Sequence, residues 1–260
     1  MPRSAMISEP PPSSVGFYGK LPSRGDFIGR ALSTAFLQPW DRWLQAAIAR
    51  SRDQLGEHWR ERYCTSPIWR FALGPGLCGP SGHAGILMPS MDRVGRYYPM
   101  VIAAPLPPDQ LLLALPATAD DWFQQAERIA LAGLDCDQLD LEDFSQNVAT
   151  LGRPQGSEPA AADVATGKAW HCALPDATTP HHALSGLAAH LFRRAFPQPS
   201  LWWTEGSDRI ARCLLICDGL PPIDGFAALL SGDWPQWGWN EPSLAGIALH
   251  SDEPPAAEED

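Results

Sequence analysis

Apolar residues recur at helical spacing in some stretches of the chain and as short unbroken runs in others, and that division predicts the elements. Phe36, Trp40, Trp43, Leu44, Ala47 and Ile48 fall in three- and four-residue steps, so a helix with one apolar face is expected over about Pro39–Leu55. Pro39 suits its first turn, where a missing N–H costs nothing. A second helix is expected over Thr118–Leu134, with Thr118 as N-cap, Asp121 near the positive end and Trp122, Ala126 and Ile129 on the buried side. A shorter one follows over Leu139–Thr150. Thr179-Pro180 opens another, running to about Phe196 with Ala183, Leu184, Leu187 and Leu191 as its stripe, and Asp224–Leu230 is a last short helix.

The strands read differently. Val15–Tyr18 opens the ordered chain. Ile68–Leu73 alternates, with Trp69, Phe71 and Leu73 on one face and Arg70 on the other. Ala84–Met88 and Tyr98–Ala104 are apolar almost throughout and should be central. The linkers between these three strands are too short for the crossover that parallel neighbours need, so they should pair antiparallel as a meander. Leu201–Glu205 and Ile210–Cys217 form a further pair around a Gly206–Arg209 turn. The expected class is α+β: an antiparallel central sheet flanked by helices, with a C-terminal helix–hairpin half on the same body. Residues 1–13 and the acidic 252–260 read as disordered, 14–150 as an N-terminal half, 151–168 as a linker or surface excursion, and 169–251 as the C-terminal half.

Composition narrows the function. The chain of 260 residues carries a formal charge of −11, and five of its acids (Asp252, Glu253, Glu258, Glu259, Asp260) lie in the last nine residues, leaving −6 on the body. An acidic body argues against nucleic acid and anionic membrane, which attract clustered Lys and Arg. No stretch approaches the roughly 20 apolar residues that span a bilayer, and no signal core opens the chain, so the expected place is the cytoplasm. The six cysteines are scattered without a Cys-x-x-Cys pair and read as reduced thiols. Trp234, Trp237 and Trp239 either pack across the body or form a docking strip.

Candidate chemistry is sparse. Gly16-Phe17-Tyr18-Gly19-Lys20 is no phosphate-binding loop, because only two residues separate its glycines and Leu21 follows the lysine. Arg24-Gly25-Asp26 matches an adhesion tripeptide by chance frequency alone. No nucleophile elbow occurs, and His181 and His182 are adjacent on a helix, about 100° apart, so they cannot share a metal. The acids at Asp135, Asp137, Asp140, Glu142 and Asp143 lack calcium-loop spacing and read as a solvated helix start. No cofactor and no metal ligand set is expected.

Three segments carry more. Gly16–Phe27 holds Lys20, Arg24 and Asp26 on a loop shaped by Gly19, Pro22 and Gly25. Ser90–Pro99, the turn between the central strands, brings Asp92, Arg93 and Arg96. Pro199–Gly206 places Trp202 and Trp203 on opposite faces of one strand, followed by Glu205. Together with Arg70-Phe71-Ala72-Leu73, and in this order, these segments resemble the TagF (ImpM) family of accessory proteins of the bacterial type VI secretion system.

That resemblance implies a mixed α/β domain of longin-like type and a cytoplasmic, non-catalytic protein that represses assembly or firing of the apparatus after translation. Its implied partner is a forkhead-associated-domain scaffold protein and, through it, the membrane core complex. Two rivals stay open: a small hydrolase or phosphate-handling enzyme on the same loops, and a structural subunit of the apparatus. If the first strand runs in the direction of Ala84–Met88, Lys20, Arg24, Asp26, Asp92, Arg93 and Arg96 meet in one polar patch, flanked by Trp202 or Trp203. The patch is then either a partner site or an internal salt-bridge cluster.

Overall fold

The computed structural model describes residues 15–108, 110–134, 139–155, 188 and 190–239. Seven strands, β1 (Gly16–Gly19), β2 (Ile28–Arg30), β3 (Trp69–Leu73), β4 (His83–Met88), β5 (Met100–Pro105), β6 (Pro199–Thr204) and β7 (Cys213–Asp218), form one sheet in the order β2-β1-β5-β4-β3-β6-β7. All neighbours are antiparallel. The expected α+β class and the β3–β4–β5 meander are both present. Helices cover both faces: α1 (Thr34–Leu55) and α2 (Trp59–Cys64) on one, α4 (Asp120–Leu134) and α5 (Leu141–Thr150) on the other, with the single turn α3 (Leu115–Thr118) leading into α4.

Burial on both faces is why β4 and β5 are apolar at both parities. Ile86 and Ile102 face Phe123, Ala126 and Ala130 of α4, whereas Leu87 and Val101 face the layer of α1. That second layer is built on aromatic rings: Trp40 stacks on Phe36 and packs tilted against Phe71, and Trp43 closes on Trp202 and Phe226. Gly85 is required beneath it, since a Cβ there would stand 2.6 Å from the Phe71 ring and 2.3 Å from the Ile102 carbonyl. Truncating the fully buried Trp40 should cost about 3–5 kcal/mol.

Several boundaries differ from the sequence reading. α1 starts at Thr34, capped by Ser33, whose Oγ accepts the Phe36 N–H at 3.2 Å, so Pro39 sits in the second turn and not the first. Thr118 is no N-cap: it ends α3, and its hydroxyl donates back to the carbonyl of Ala114, the residue before that turn. β2 was not expected at all; three residues long, with two of them exposed, it carries no periodic signal. The connection from β6 to β7 spans residues 205–212, longer than the expected four-residue turn. Ile210 turns into the core there, 1% exposed, and its carbonyl accepts the Ser207 N–H. Residues expected as one short helix at 224–230 form a 3-10 turn, Ile223–Gly225, and a helical turn, Ala228–Ser231.

Trp234 packs on Trp69 and Trp239, and the Trp237 and Trp239 indoles donate to Ser231 and to the Gly225 carbonyl. The expected segments 1–13, 252–260 and most of 151–168 lie outside the described residues, as does the helix from Thr179 apart from 188 and the helical 190–195.

Candidate functional site

β1 and β4 run in the same direction because β5 lies between them, antiparallel to both. The loop after β1 (residues 20–27) and the turn after β4 therefore emerge at one end of the sheet. At their junction stands Asp92, whose side chain is fully buried. Its Oδ2 accepts the Lys20 ammonium at 3.0 Å and the Arg96 Nε at 2.7 Å, and its Oδ1 accepts the backbone N–H groups of Val94 and Arg96 at 3.1 and 2.9 Å. Burial pushes the carboxyl pKa up. The Arg96 N–H and the Lys20 and Arg96 side chains outweigh it, and hold the group well below the usual carboxylate range.

The rest of the junction is bound just as closely. Arg96 reaches the Gly25 carbonyl at 2.6 Å, the Arg93 N–H donates to the Arg24 carbonyl at 2.8 Å, and the Arg24 guanidinium donates to the Leu139 carbonyl ahead of α5. Beneath, the Ser90 hydroxyl donates to the Lys20 carbonyl, while the Tyr63 hydroxyl donates to the Ser90 carbonyl and accepts its N–H. Burial raises the Tyr63 phenol far above its ordinary value, so it stays protonated. Tyr63 was not singled out in the sequence; an isolated tyrosine on an amphipathic turn gives no sign of this role.

The outward side of the junction is different. Asp26 is exposed and, among the described residues, bonds only the N–H of Phe27. The Phe27 ring, 39% exposed, lies on Tyr18 and Tyr98 and under the Lys20 ammonium. Val94 is 67% exposed, and among the described residues the exposed Arg93 guanidinium has neither hydrogen bond nor ion pair.

Trp202, Trp203 and Glu205 are elsewhere. β6 is four strand positions from β1, about 19 Å at ordinary strand spacing. Trp202 is fully buried among Trp40, Trp43 and Phe71, and Trp203 lies under α4 with its ring against Phe123, so neither flanks Asp92. Glu205 belongs to a second charged cluster, missed from sequence. Arg70, 3% exposed at its side chain, donates to Glu127 through Nε and Nη2 and to Asp120 at 2.6 Å, and stands 3.7 Å from Glu205. Burial works against its charge, but Glu127 and Asp120 outweigh it and raise the pKa. The signal was present: a charged residue inside a strand, with apolar neighbours on both sides.

Reactive groups are few. Burial pushes the Cys78 and Cys217 thiols up to about 12 and Cys213 to about 11, and lowers His83 to about 4. Cys136 and Cys172 lie outside the described residues. Among those described, no three of His, Cys, Asp and Glu stand close enough to share a metal ion, and no helix is long and apolar enough to cross a membrane.

Residues 16–151 match the family model described as "TagF N-terminal domain, Type VI secretion system-associated". The chain belongs to the TagF family. Its solved relatives include PA0076 from Pseudomonas aeruginosa PAO1, 39% identical, with a TM-score of 0.74 over 88% of this chain and 97% of that one. No curated protein matches the chain. The TagF match ends just after α5, so it contains Lys20, Asp92 and Arg96 together with Arg70, Asp120 and Glu127, while Glu205 falls beyond it. Membership associates the chain with the type VI secretion system.

Proposed function

We propose that this TagF protein represses assembly or firing of the type VI apparatus after translation, in the cytoplasm and by contact rather than catalysis. Its partner would be a forkhead-associated-domain scaffold protein, and through it the membrane core complex. The observation that carries this reading is the contrast across the Asp92 turn. Lys20, Asp92 and Arg96 are consumed by internal bonds, whereas Arg93 and Val94 on the same turn, with Asp26 and Phe27 beside them, point outward. A turn already fixed from beneath loses little freedom when a partner covers it, and each side chain that need not be ordered saves about 0.5–1.5 kcal/mol. Arginine and exposed aromatic rings, here Arg93 and Phe27, are also enriched at the centre of protein interfaces.

The direct test is recovery of the scaffold protein with this chain as bait, from a strain carrying the secretion cluster. Wild type should recover it, and Val94→Asp should not, while both melt alike. Equal recovery by the two would remove the turn from the interface, and no recovery by wild type would remove the partner.

A further inference from the structure

Beside the Asp92 turn, a cleft of about 680 Å³ opens between the end of α1, α2 and the β4–β5 connection. It is lined by Arg52, Arg60 and Arg96 over the aromatic floor of Trp59 and Tyr97, with Glu57 as the single acid. The Arg52 guanidinium lies 4.3 Å above the Trp59 ring, and Arg96, although bonded to Asp92, remains 60% exposed. Gly56 and Gly95 both line it with positive φ (52° and 81°), and neither has an atom within 4 Å of where a Cβ would stand. The walls therefore offer bare backbone and the Arg52 and Arg60 guanidiniums to whatever enters, with the charge of the internally bonded Arg96 beside them. This is a cationic site in a chain whose net charge is −11.

We propose that the cleft binds a carboxylate-rich peptide segment, and that its resident occupant is this chain's own acidic end, residues 252–260. Charge complementarity is the first argument: that segment holds Asp252, Glu253, Glu258, Glu259 and Asp260 and no cation. Planar guanidiniums suit carboxylates because they present paired donors at matching spacing.

Reach is the second. The described chain ends at Trp239, whose indole donates to the Gly225 carbonyl; Asp224, next to it, is held by Arg50 and Gln54 of α1. Residues 50 and 54 share one side of that helix and Arg52 stands on the other, about a helix diameter (10–12 Å) away, with Gly56 just past the helix end. The thirteen-residue step from Trp239 to Asp252 spans about 20 Å on average as a free coil and up to about 45 Å extended. A tether of that length gives an effective concentration in the millimolar range, so weak carboxylate–arginine contacts suffice for occupancy. The proposal does not depend on the identity of the secretion-system partner.

The test is amide hydrogen exchange on the full chain at low salt, read over residues 52–60 and 94–97. Neutralising the five acids (D252N, E253Q, E258Q, E259Q and D260N) should speed exchange there severalfold and leave β4 and β5 unchanged. Arg52→Ala with Arg60→Ala should produce the same acceleration, and neutralising the acids in that background should add nothing. A synthetic peptide with the sequence of residues 252–260 should restore protection to the neutralised chain but not to the chain lacking the two arginines. Unchanged exchange on neutralisation would overturn the proposal, even if the peptide bound in trans, since the site would then serve a segment from elsewhere. An acceleration that persisted without Arg52 and Arg60 would overturn it as well.

Discussion

Two charged clusters sit at the same end of the sheet with opposite polarity. Around Asp92 a buried carboxylate is held by two cations and two backbone N–H groups; around Arg70 a buried guanidinium is held by carboxylates on α4 and beyond β6. In the first, both members of the central pair are buried, Lys20 at 7% and Asp92 at 0% side-chain exposure. In the second only Arg70 is, since Glu127 is 20%, Asp120 46% and Glu205 51% exposed. The first cluster joins two loops to each other; the second fastens a helix to a sheet face. The two clusters therefore differ in which partner is stranded when the other is lost.

The sharpest break is therefore Asp92→Ala, which leaves the Lys20 ammonium buried without a counter-charge and should cost about 3–5 kcal/mol in chemical unfolding. Arg70→Met leaves acids that can turn to water, and should cost less, about 1–3 kcal/mol. Equal losses would show that the clusters differ in geometry only.

Acid sharpens the contrast. The Asp92 pKa is depressed in the folded state, so its stabilisation is complete above the unfolded value near 4 and is lost as pH falls below it. Wild type should lose stability steeply below about pH 4, and Asp92→Asn should have a flatter slope there. A gentler effect belongs to His83, held neutral by burial at about 4 against an ordinary 6.5. The unfolded chain binds the extra proton between those values, so stability falls as pH drops from about 6.5 to 4, and a fold-competent His83→Gln should flatten that window alone. Smallest is Arg93→Glu, on the exposed side of the turn, which should move stability by no more than about 0.5 kcal/mol.

The two clusters were also unequally legible. Lys20, Asp92 and Arg96 could be brought together from sequence because glycine and proline mark the loops, and a meander fixes which loops share an end. Arg70 was seen, but its partners were not, since Asp120 and Glu127 look like ordinary exposed helix acids until α4 is laid across the sheet. Trp202 and Trp203 were rightly placed on opposite faces, yet strand order, which no local pattern encodes, puts both of them far from Asp92. Boundaries failed where a polar residue had two uses: Ser33 and Thr118 both resemble caps, and only Ser33 is one.

The account rests on a division of labour within one turn, with Asp92 facing inward for structure and Arg93 outward for contact. The measurement closest to that claim is the affinity of purified Arg93→Glu protein for the proposed partner, the purified forkhead-associated-domain scaffold protein, taken beside its unfolding curve. The account predicts at least a tenfold weaker complex, about 1.4 kcal/mol, from a protein as stable as wild type. Wild-type affinity in that variant would contradict it.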